Sequence, residues 1–420
     1  MKTAKGRKDD GTGKNGFGSG TCRRAWALNQ VQHIFIVGSK GIPGAYGGYE
    51  TFVDKLTEYH QNDPRFKYHV ACKSNENGEF EYHNAHCFKV KCPNIGPASA
   101  IYYDVKAIWK CIRYIKKNRI PHPIVYCLAC RIGPFAGFFQ KQIHKLGGLF
   151  FVNPDGHEWL RSKWCFCVRM YWKLSERKMV KNADLLVCDS RNIEKYIQTM
   201  YAKFNPRTTF IAYGAETRKS RLADDDEKFL NWLGEKNLRS GEYYLVVGRF
   251  VPENNYETMI REFMQSKTKK DLAIVTECSG SFLTILKEKL GFDKDPRIKF
   301  VGTVYDQELL MKIREKAYGY LHGHEVGGTN PSLLEALSCS KLNLLLDVCF
   351  NREVGENSAL YWTKEKGSLA KAIELADAMK EPEVERLDWK SSERIKRAYS
   401  WDVISGMYAG VWENSQCELL

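Results

Sequence analysis

The sequence has no long apolar run. None of its uninterrupted hydrophobic stretches approaches the roughly 20 residues that a helix needs to span a bilayer. The first thirty residues are basic and rich in glycine, but they lack the apolar core of a secretory signal peptide. We therefore expect a cytoplasmic protein whose residues 1–30 form a disordered basic tail.

A paired-cysteine metal motif is also lacking. The 14 cysteines are scattered, and Cys127 and Cys130 form a C-x-x-C pair without a second pair at zinc-finger spacing. One further group could be drawn as a metal cluster, but its spacing matches no structural zinc site: His83, His86, Cys87 and Cys92. We expect reduced, mostly buried thiols, with no metal and no cofactor.

Negative charge is in short supply. The chain has 50 acidic residues against 64 lysines and arginines, for a net charge of +14, and residues 1–30 contribute seven basic residues against two aspartates. Such a balance favours anionic partners, which include phosphates, nucleic acid and an anionic membrane. A nucleic-acid-binding protein is one alternative, although no zinc finger, RNP-type aromatic strand or helix-turn-helix pattern supports it.

What the sequence has is an alternation of strand and helix patterns in two blocks. The first opens with a short apolar strand at 33–38, a loop with four glycines and a helical pattern at 49–59, as doubly wound α/β domains do. A second block starts after a charged, apolar-poor segment. We predict an α/β protein with two Rossmann-like, doubly wound parallel-sheet domains and a cleft between them. The predicted divisions are a domain at 31–215, a linker at 216–240, a domain at 241–398 and a final helix at 399–420.

The run HGHEVGGTNPSLLEAL at 322–337 carries the strongest chemical signal. It follows an apolar strand with a glycine turn, then small polar side chains where a helix should begin, and Glu335 one turn further on. Free N–H groups at a helix start bind anions, and a carboxylate can accept two sugar hydroxyls. The run therefore predicts a site for a phosphate and a ribose, as in an enzyme that uses a nucleotide sugar.

Four segments in this order resemble the GT-B glycosyltransferases of family 4: VGSKGIPGAYGGYETFV at 37–53, NPDGHEWLRSKW at 153–164, GRFVPENNYE at 248–257 and the run at 322–337. The likeness is greatest to a rhamnosyltransferase-like subgroup with a DUF1972-type N-terminal domain, and it covers roughly residues 32–415. The resemblance implies that the first domain binds the acceptor and the second the nucleotide sugar. It also implies that the last helix crosses back to the first domain.

The resemblance further implies a metal-independent hexosyltransferase that retains anomeric configuration and needs no cofactor beyond its donor. Subgroup likeness points to dTDP-L-rhamnose, with a UDP-sugar as the other donor, and to a lipid-diphosphate-linked sugar acceptor in surface polysaccharide assembly. Two positions depart from the family pattern. Asn254 stands where the family has a lysine, and Gly327 stands where it has its first motif acid, with Glu325 two positions before.

Site residues carry over position by position. Arg249 would neutralise the diphosphate, and Glu335 would hold the ribose. The full donor set comprises Gly47, Gly48, Arg249, Asn254, Val304, Tyr305, Gly327, Gly328, Thr329, Asn330, Ser332 and Glu335. The acceptor set comprises Tyr49, Glu50, Asp155, His157 and Glu158. The catalytic candidates are Asp155, Arg249 and Glu325, and no residue is expected to bind metal.

Several of these positions also have an ordinary structural explanation: a tight strand-to-helix turn for Gly47 and Gly48, a helix N-terminal acid for Glu335 and a solvated charge for Arg249. The main alternative function is a nucleotide-sugar epimerase of the same fold.

Two helical segments raise the question of peripheral membrane contact. The apolar stripe at 101–115 reads as a core face, while the basic ridge with aromatics at 164–181 fits a core helix and an anionic bilayer equally well.

Overall fold

The computed structural model describes residues 31–44, 47–96, 98–161, 164–278 and 280–419, with side chains described up to residue 415. The predicted tail at 1–30 lies outside these ranges. The two parallel-sheet domains predicted from the sequence are confirmed.

The first domain is built on an eight-stranded sheet in the order β3-β4-β2-β1-β5-β6-β7-β8. Only β3 is antiparallel to its neighbour. The strands are β1 (Gln32–Val37), β2 (Phe66–Ser74), β3 (Gly78–Tyr82), β4 (Ala85–Lys91), β5 (Ile124–Leu128), β6 (Leu149–Asn153), β7 (Leu185–Cys188) and β8 (Thr208–Phe210).

Helices cover both faces of this sheet, because its strands are apolar on both sides. Along β1, Ile34 and Ile36 face one hydrophobic cluster, while Phe35 and Val37 face the other. This two-sided burial explains why the strands read as continuous apolar runs. The helices are α1 (Gly48–His60), α2 (Ala98–Asn118), α3 (Gly133–His144), α4 (Phe166–Asn182) and α5 (Arg191–Met200).

The second domain has a six-stranded, fully parallel sheet in the order β11-β10-β9-β12-β13-β14. Its strands are β9 (Tyr243–Val247), β10 (Asp271–Val275), β11 (Ile298–Gly302), β12 (Gly319–His322), β13 (Asn343–Leu346) and β14 (Leu360–Trp362). Its helices are α6 (Glu227–Glu235), α7 (Tyr256–Gln265), α8 (Ser281–Leu290), α9 (Gln307–Glu315), α10 (Pro331–Cys339), α11 (Cys349–Gly355), α12 (Ser368–Ala378) and α13 (Glu381–Ala398).

The segment predicted as a linker contains helix α6. Phe229, Trp232 and Leu233 of this helix are buried in a hydrophobic cluster of the second domain. These three residues lie on one face at helical spacing, and this is enough to dock a short helix even in a charged surrounding. The connection between the domains is therefore shorter than residues 216–240.

The last helix, α14 (Trp401–Leu419), packs against the first domain. Trp412 is fully buried there, and its Nε1 donates to the Tyr68 hydroxyl at 2.9 Å. The Tyr408 and Tyr126 hydroxyls lie 3.2 Å apart in the same core. The chain thus leaves the second domain and ends on the first, so that apolar packing joins the two.

Candidate functional site

A cavity of about 900 Å³ lies where the carboxyl ends of the two sheets face each other. Lining residues follow strands of both sheets, among them Arg131 after β5, Asp155 after β6, Asp189 after β7, Gly248 after β9 and His324 after β12. Ligands of doubly wound sheets bind at this edge, and the volume suits an organic ligand of moderate size.

Most of the residues proposed from the sequence line this one cavity. They are Gly47, Gly48, Tyr49, Glu50, Asp155, Glu158, Arg249, Asn254, Glu325, Gly327, Gly328, Thr329, Asn330, Ser332 and Glu335. The structure therefore brings together side chains that lie almost 290 positions apart in the sequence.

Three proposed residues are absent from the described cavity lining: His157, Val304 and Tyr305. The His157 ring packs against Tyr196 with their centroids 4.2 Å apart, and burial lowers its pKa. Val304 packs against a cluster of the second domain, while Tyr305 is 68% exposed. His157 is therefore a packing residue in this structure, and the proposed base contacts lie outside this cavity.

Glu335 is held by a buried arginine that the sequence reading missed. Arg314, at the end of α9, is almost fully buried, and its Nη2 lies 2.6 Å from Glu335 Oε2. Glu335 itself is only partly buried and faces the cavity. The ion pair fixes the carboxylate while leaving its other oxygen for a ligand.

The start of α10 is already capped by its own chain. Asn330 Oδ1 accepts from the N–H groups of Ser332 and Leu333 at 2.9 and 3.3 Å, and Pro331 has no N–H. The sequence reading had assigned these helix-start groups to a phosphate. Within the described residues, no hydrogen bond engages the backbone N–H groups of Gly327 and Gly328. An anion would therefore bind the N–H groups of the glycine loop, which precedes α10, and not the N–H groups at the start of the helix.

Arg249 projects into the cavity as a solvent-facing cation. Within the described part of the chain, no ion pair or hydrogen bond engages its guanidinium. Asn254, in contrast, is buried, and its Nδ2 donates to the Arg249 carbonyl at 2.8 Å. Asn254 thus shapes the Arg249 backbone instead of offering a charge to a ligand.

Glu325 lies at the cavity, but its carboxylate already has partners. Lys364 Nζ lies 2.6 Å from Oε1, and Asn255 Nδ2 donates to Oε2 at 3.3 Å. Gly327, at the position of the family acid, has a φ of 141°, which favours glycine. The Glu325 carboxylate is thus ion-paired with a lysine beside the glycine loop.

Two aspartates line the first-domain half of the cavity, Asp155 and Asp189. Asp155 has a φ of 59°, and its backbone N–H donates to Asn153 Oδ1 at 2.8 Å. Asp189, which the sequence reading missed, is buried, and within the described residues its Oδ1 has no hydrogen-bond partner. Burial and then the charge of Asp155 raise the pKa of Asp189 well above its usual range.

A tyrosine hydroxyl completes the first-domain half of the cavity. The buried Tyr49 hydroxyl has no hydrogen-bond partner within the described residues, and burial followed by the Asp155 charge raises its pKa. Glu50 accepts from the Lys40 N–H at 2.7 Å and so holds the first glycine loop. Acids and hydroxyls of this kind can bind the hydroxyl groups of a sugar.

The two halves touch through glycine backbones. A Cβ on Gly156 would lie 2.5 Å from the Gly327 carbonyl carbon, and one on Gly328 would lie 2.1 Å from Asp189 Oδ1. The Thr329 hydroxyl donates to the Asp189 carbonyl oxygen. Glycine at 156 and 328 therefore permits a closed contact that any side chain would disturb.

A second contact between the domains is a helix cap, in which a side chain of the second domain caps a helix of the first. Glu353 of α11 accepts from the Ser190 hydroxyl at 2.7 Å, the Arg191 N–H at 2.8 Å and the Asn192 side-chain amide at 2.6 Å. These groups begin α5 of the first domain, where a carboxylate is favourable. Glu353 thus binds the first domain to the second.

Comparisons with known proteins agree with this architecture. Residues 31–216 match DUF1972, a domain of unknown function. No curated protein matches the chain. Among solved structures it is similar to a sucrose-phosphate synthase (tll1590) from Thermosynechococcus elongatus, with a TM-score of 0.71 and 16% identity over 91% of this chain and 98% of that one.

Two further solved structures are similar along their length. One is Anabaena Alr3699/HepE in complex with UDP-glucose, with a TM-score of 0.66 and 13% identity over 92% of this chain and 100% of that one. The other is a glycosyltransferase from Rickettsia africae ESF-5, with a TM-score of 0.69 and 11% identity over 92% and 99%. These TM-scores over most of each chain establish a shared fold, and at identities this low they establish the fold alone.

Proposed function

From a GT-B fold along the chain and a DUF1972 match over residues 31–216, we propose that this protein is a glycosyltransferase with a nucleotide-sugar donor. One observation carries the proposal. Arg249, without an ion-pair partner in the described part of the chain, shares one cavity with a glycine loop and a carboxylate fixed on a buried arginine. Together these groups offer a cation and loop N–H groups for the diphosphate of a donor, and a carboxylate for its ribose.

The donor would lie across the second domain. The free oxygen of Glu335 accepts ribose hydroxyls, while the N–H groups of Gly327 and Gly328 and the guanidinium of Arg249 bind the diphosphate. The transferred sugar then lies between the glycine loop and the acids of the first domain. HepE, which was solved with UDP-glucose, has this fold and supports the class of donor.

In the proposed reaction, the bond between the anomeric carbon and the phosphate oxygen breaks. The acceptor oxygen bonds to the same carbon, and its proton passes to the departing phosphate oxygen. Leaving-group charge requires preorganised cations, and Arg249 supplies one without a metal. Because the phosphate departs from the same face of the sugar that the acceptor attacks, the anomeric configuration is retained. Proton NMR of the product's anomeric signal tests this.

The direct test is release of nucleoside diphosphate from dTDP- and UDP-sugars, measured with a lipid-linked saccharide acceptor. Glu335→Ala should weaken nucleotide binding about tenfold or more, since a hydrogen bond to a charged group is lost. Glu385→Ala, at an exposed glutamate of α13, is the matched control. No release from any donor would remove the proposal, and epimer formation without acceptor would favour the epimerase.

The finer proposal is transfer of L-rhamnose from dTDP-L-rhamnose to a lipid-diphosphate-linked sugar. It rests on the subgroup likeness of the four motifs. A thermal-shift screen of dTDP-rhamnose against UDP-sugars tests the donor. Stabilisation by UDP-sugars alone would contradict the rhamnose assignment.

We also propose that α4 docks on an anionic membrane surface. Phe166, Met170 and Leu174 recur every fourth residue and are 75%, 51% and 48% exposed. Exposed basic residues accompany them on this helix: Lys173, Arg177, Lys178 and Lys181. Apolar anchors beside cations suit the interface of an anionic bilayer. None of the helices described is long and apolar enough to cross one.

Vesicle sedimentation tests this surface. Phe166→Asp should reduce binding to vesicles containing anionic lipid, because it replaces an inserted ring by a charge repelled from the surface. Ile285→Asp changes an equally apolar side chain, 54% exposed on the second domain, and should have little effect. Equal binding by both variants and the unmutated protein would contradict the proposed surface.

A further inference from the structure

Several cationic side chains line the cavity, and three of them pair with acids: Arg131, Arg161 and Arg314. Arg131 Nη1 lies 3.0 Å from the buried Asp104 and also donates to the Gly38 carbonyl at 2.7 Å. Arg314 is paired with Glu335. A departing diphosphate needs more than one compensating charge. A second cation is therefore needed beside Arg249.

Arg161 and Arg249 approach the same histidine from different domains. His324 follows β12 and stacks on His322, with ring centroids 4.4 Å apart. Burial, then the positive charges of Arg249 and Arg161, lower the pKa of His324 to about 3. Arg161, Arg249 and His324 also line the same cavity, at the strand end that begins the glycine loop.

The position of Arg161 is fixed by contacts on both sides. The Gly156 backbone lies against Gly327, and a one-turn 3-10 helix, Glu158–Leu160, leads from there to Arg161. Arg161 Nε lies 2.5 Å from Glu158 Oε2, and Trp164 Nε1 donates to Glu158 Oε1 at 2.9 Å. A guanidinium has five N–H donors, so one carboxylate does not exhaust it.

We propose that Arg161 of the first domain is a second ligand of the donor's diphosphate, opposite Arg249 of the second domain. This inference rests on the proposed function and deepens it. Asn254 carries no charge, and its amide is used by the Arg249 carbonyl. The diphosphate would thus bridge the two domains, and its site would be complete only while the cleft is closed.

The experiment compares binding of dTDP and UDP with that of dTMP and UMP by titration calorimetry. Arg161→Gln should weaken binding of the preferred diphosphate about 10- to 100-fold, as expected for one hydrogen bond to a charged group. Monophosphate binding should change less than about twofold, which also verifies the fold. Arg113→Gln, at an exposed position of α2, removes the same charge outside the cavity and should change neither.

Arg161→Lys separates charge from packing, and should bind the diphosphate at least about fivefold more tightly than Arg161→Gln. Unchanged diphosphate affinity in Arg161→Gln, or equal losses for monophosphate and diphosphate, would overturn the proposal. Equally weak diphosphate binding by Arg161→Lys and Arg161→Gln would also overturn the proposal. If the unmutated protein bound no nucleotide, the proposed function itself would fall. If it bound and only Arg249→Gln weakened the diphosphate, the function would stand without this role.

Discussion

The contact between Glu353 and the start of α5 predicts how firmly the cleft is closed. Its carboxylate accepts from Ser190, Arg191 and Asn192 in three contacts of 2.6–2.8 Å, and from the Asn192 N–H at 3.3 Å. Each good contact is partly open to water, so we assign about 1 kcal/mol to each, below the roughly 1.5–3 kcal/mol typical of hydrogen bonds to charged groups. Glu353→Ala should therefore favour opening by about 3 kcal/mol, or roughly 100-fold.

Hydrogen exchange of peptides that cover α5, together with the radius of gyration from small-angle scattering, measures this opening. Glu353→Ala should exchange faster at the first turn of α5 and scatter as a more open particle. Glu353→Gln keeps an acceptor but loses the charge, so its effect should be intermediate. Glu356→Ala, which removes a 2.8 Å ion pair to Arg394 within the second domain, is the control. Exchange and scattering identical to those of the unmutated protein would refute the proposed cap.

Three further predictions concern the closed contact, the returning helix and pH. Gly328→Ala places a Cβ 2.1 Å from Asp189 Oδ1, so turnover should fall at least about tenfold, whereas Gly234→Ala, with open space around it, should be silent. Trp412→Ala should lower the free energy of unfolding by about 3–5 kcal/mol in urea titrations, whereas Trp389→Ala, at a side chain 66% exposed, should cost little. Burial, then the charges of neighbouring histidines, lower the pKa of His69 to about 2, below the unfolded value of about 6.5. The stability that neutral His69 contributes is therefore complete above pH 6.5 and is lost as the pH falls. Between pH 6.5 and 5, the free energy of unfolding of His69→Gln should fall less steeply than that of the unmutated protein, by up to about 1.4 kcal/mol per pH unit. Equal slopes for the two proteins would contradict this.

The fold was predictable because its strands are buried on both faces. The strand predicted at 33–38 is β1 (Gln32–Val37), and the apolar run before the 322–337 motif is β12 (Gly319–His322). Continuous apolar runs bounded by glycine give such strands directly. The segment 216–240 was harder, because charge dominates its composition while three apolar residues at helical spacing decide its structure.

The second-domain half of the candidate site was easier to predict from the sequence than the contacts between the domains. Arg249 and Glu335 belong to local motifs, each attached to a strand end or a helix start. Asp189, Glu353 and Arg314 have no such pattern. Arg314 reaches Glu335 from a different helix, and Glu353 caps a helix of the other domain. Contacts of this kind depend on how elements pack, which hydrophobic periodicity does not specify.

The contacts between the domains change how the glycines of the 322–337 run are understood. From the sequence, Gly327 looks like the loss of a catalytic acid. In the structure, the backbones of Gly156 and Gly327 touch, and Gly328 lies against Asp189. A Cβ at 327 would itself meet no atom of the described residues within 4 Å, so the preference for glycine at this position comes from its φ of 141°. The glycines at 156 and 328, in contrast, let the first domain approach the loop of the second directly. The same domain contact brings Arg161 to the cavity beside the glycine loop.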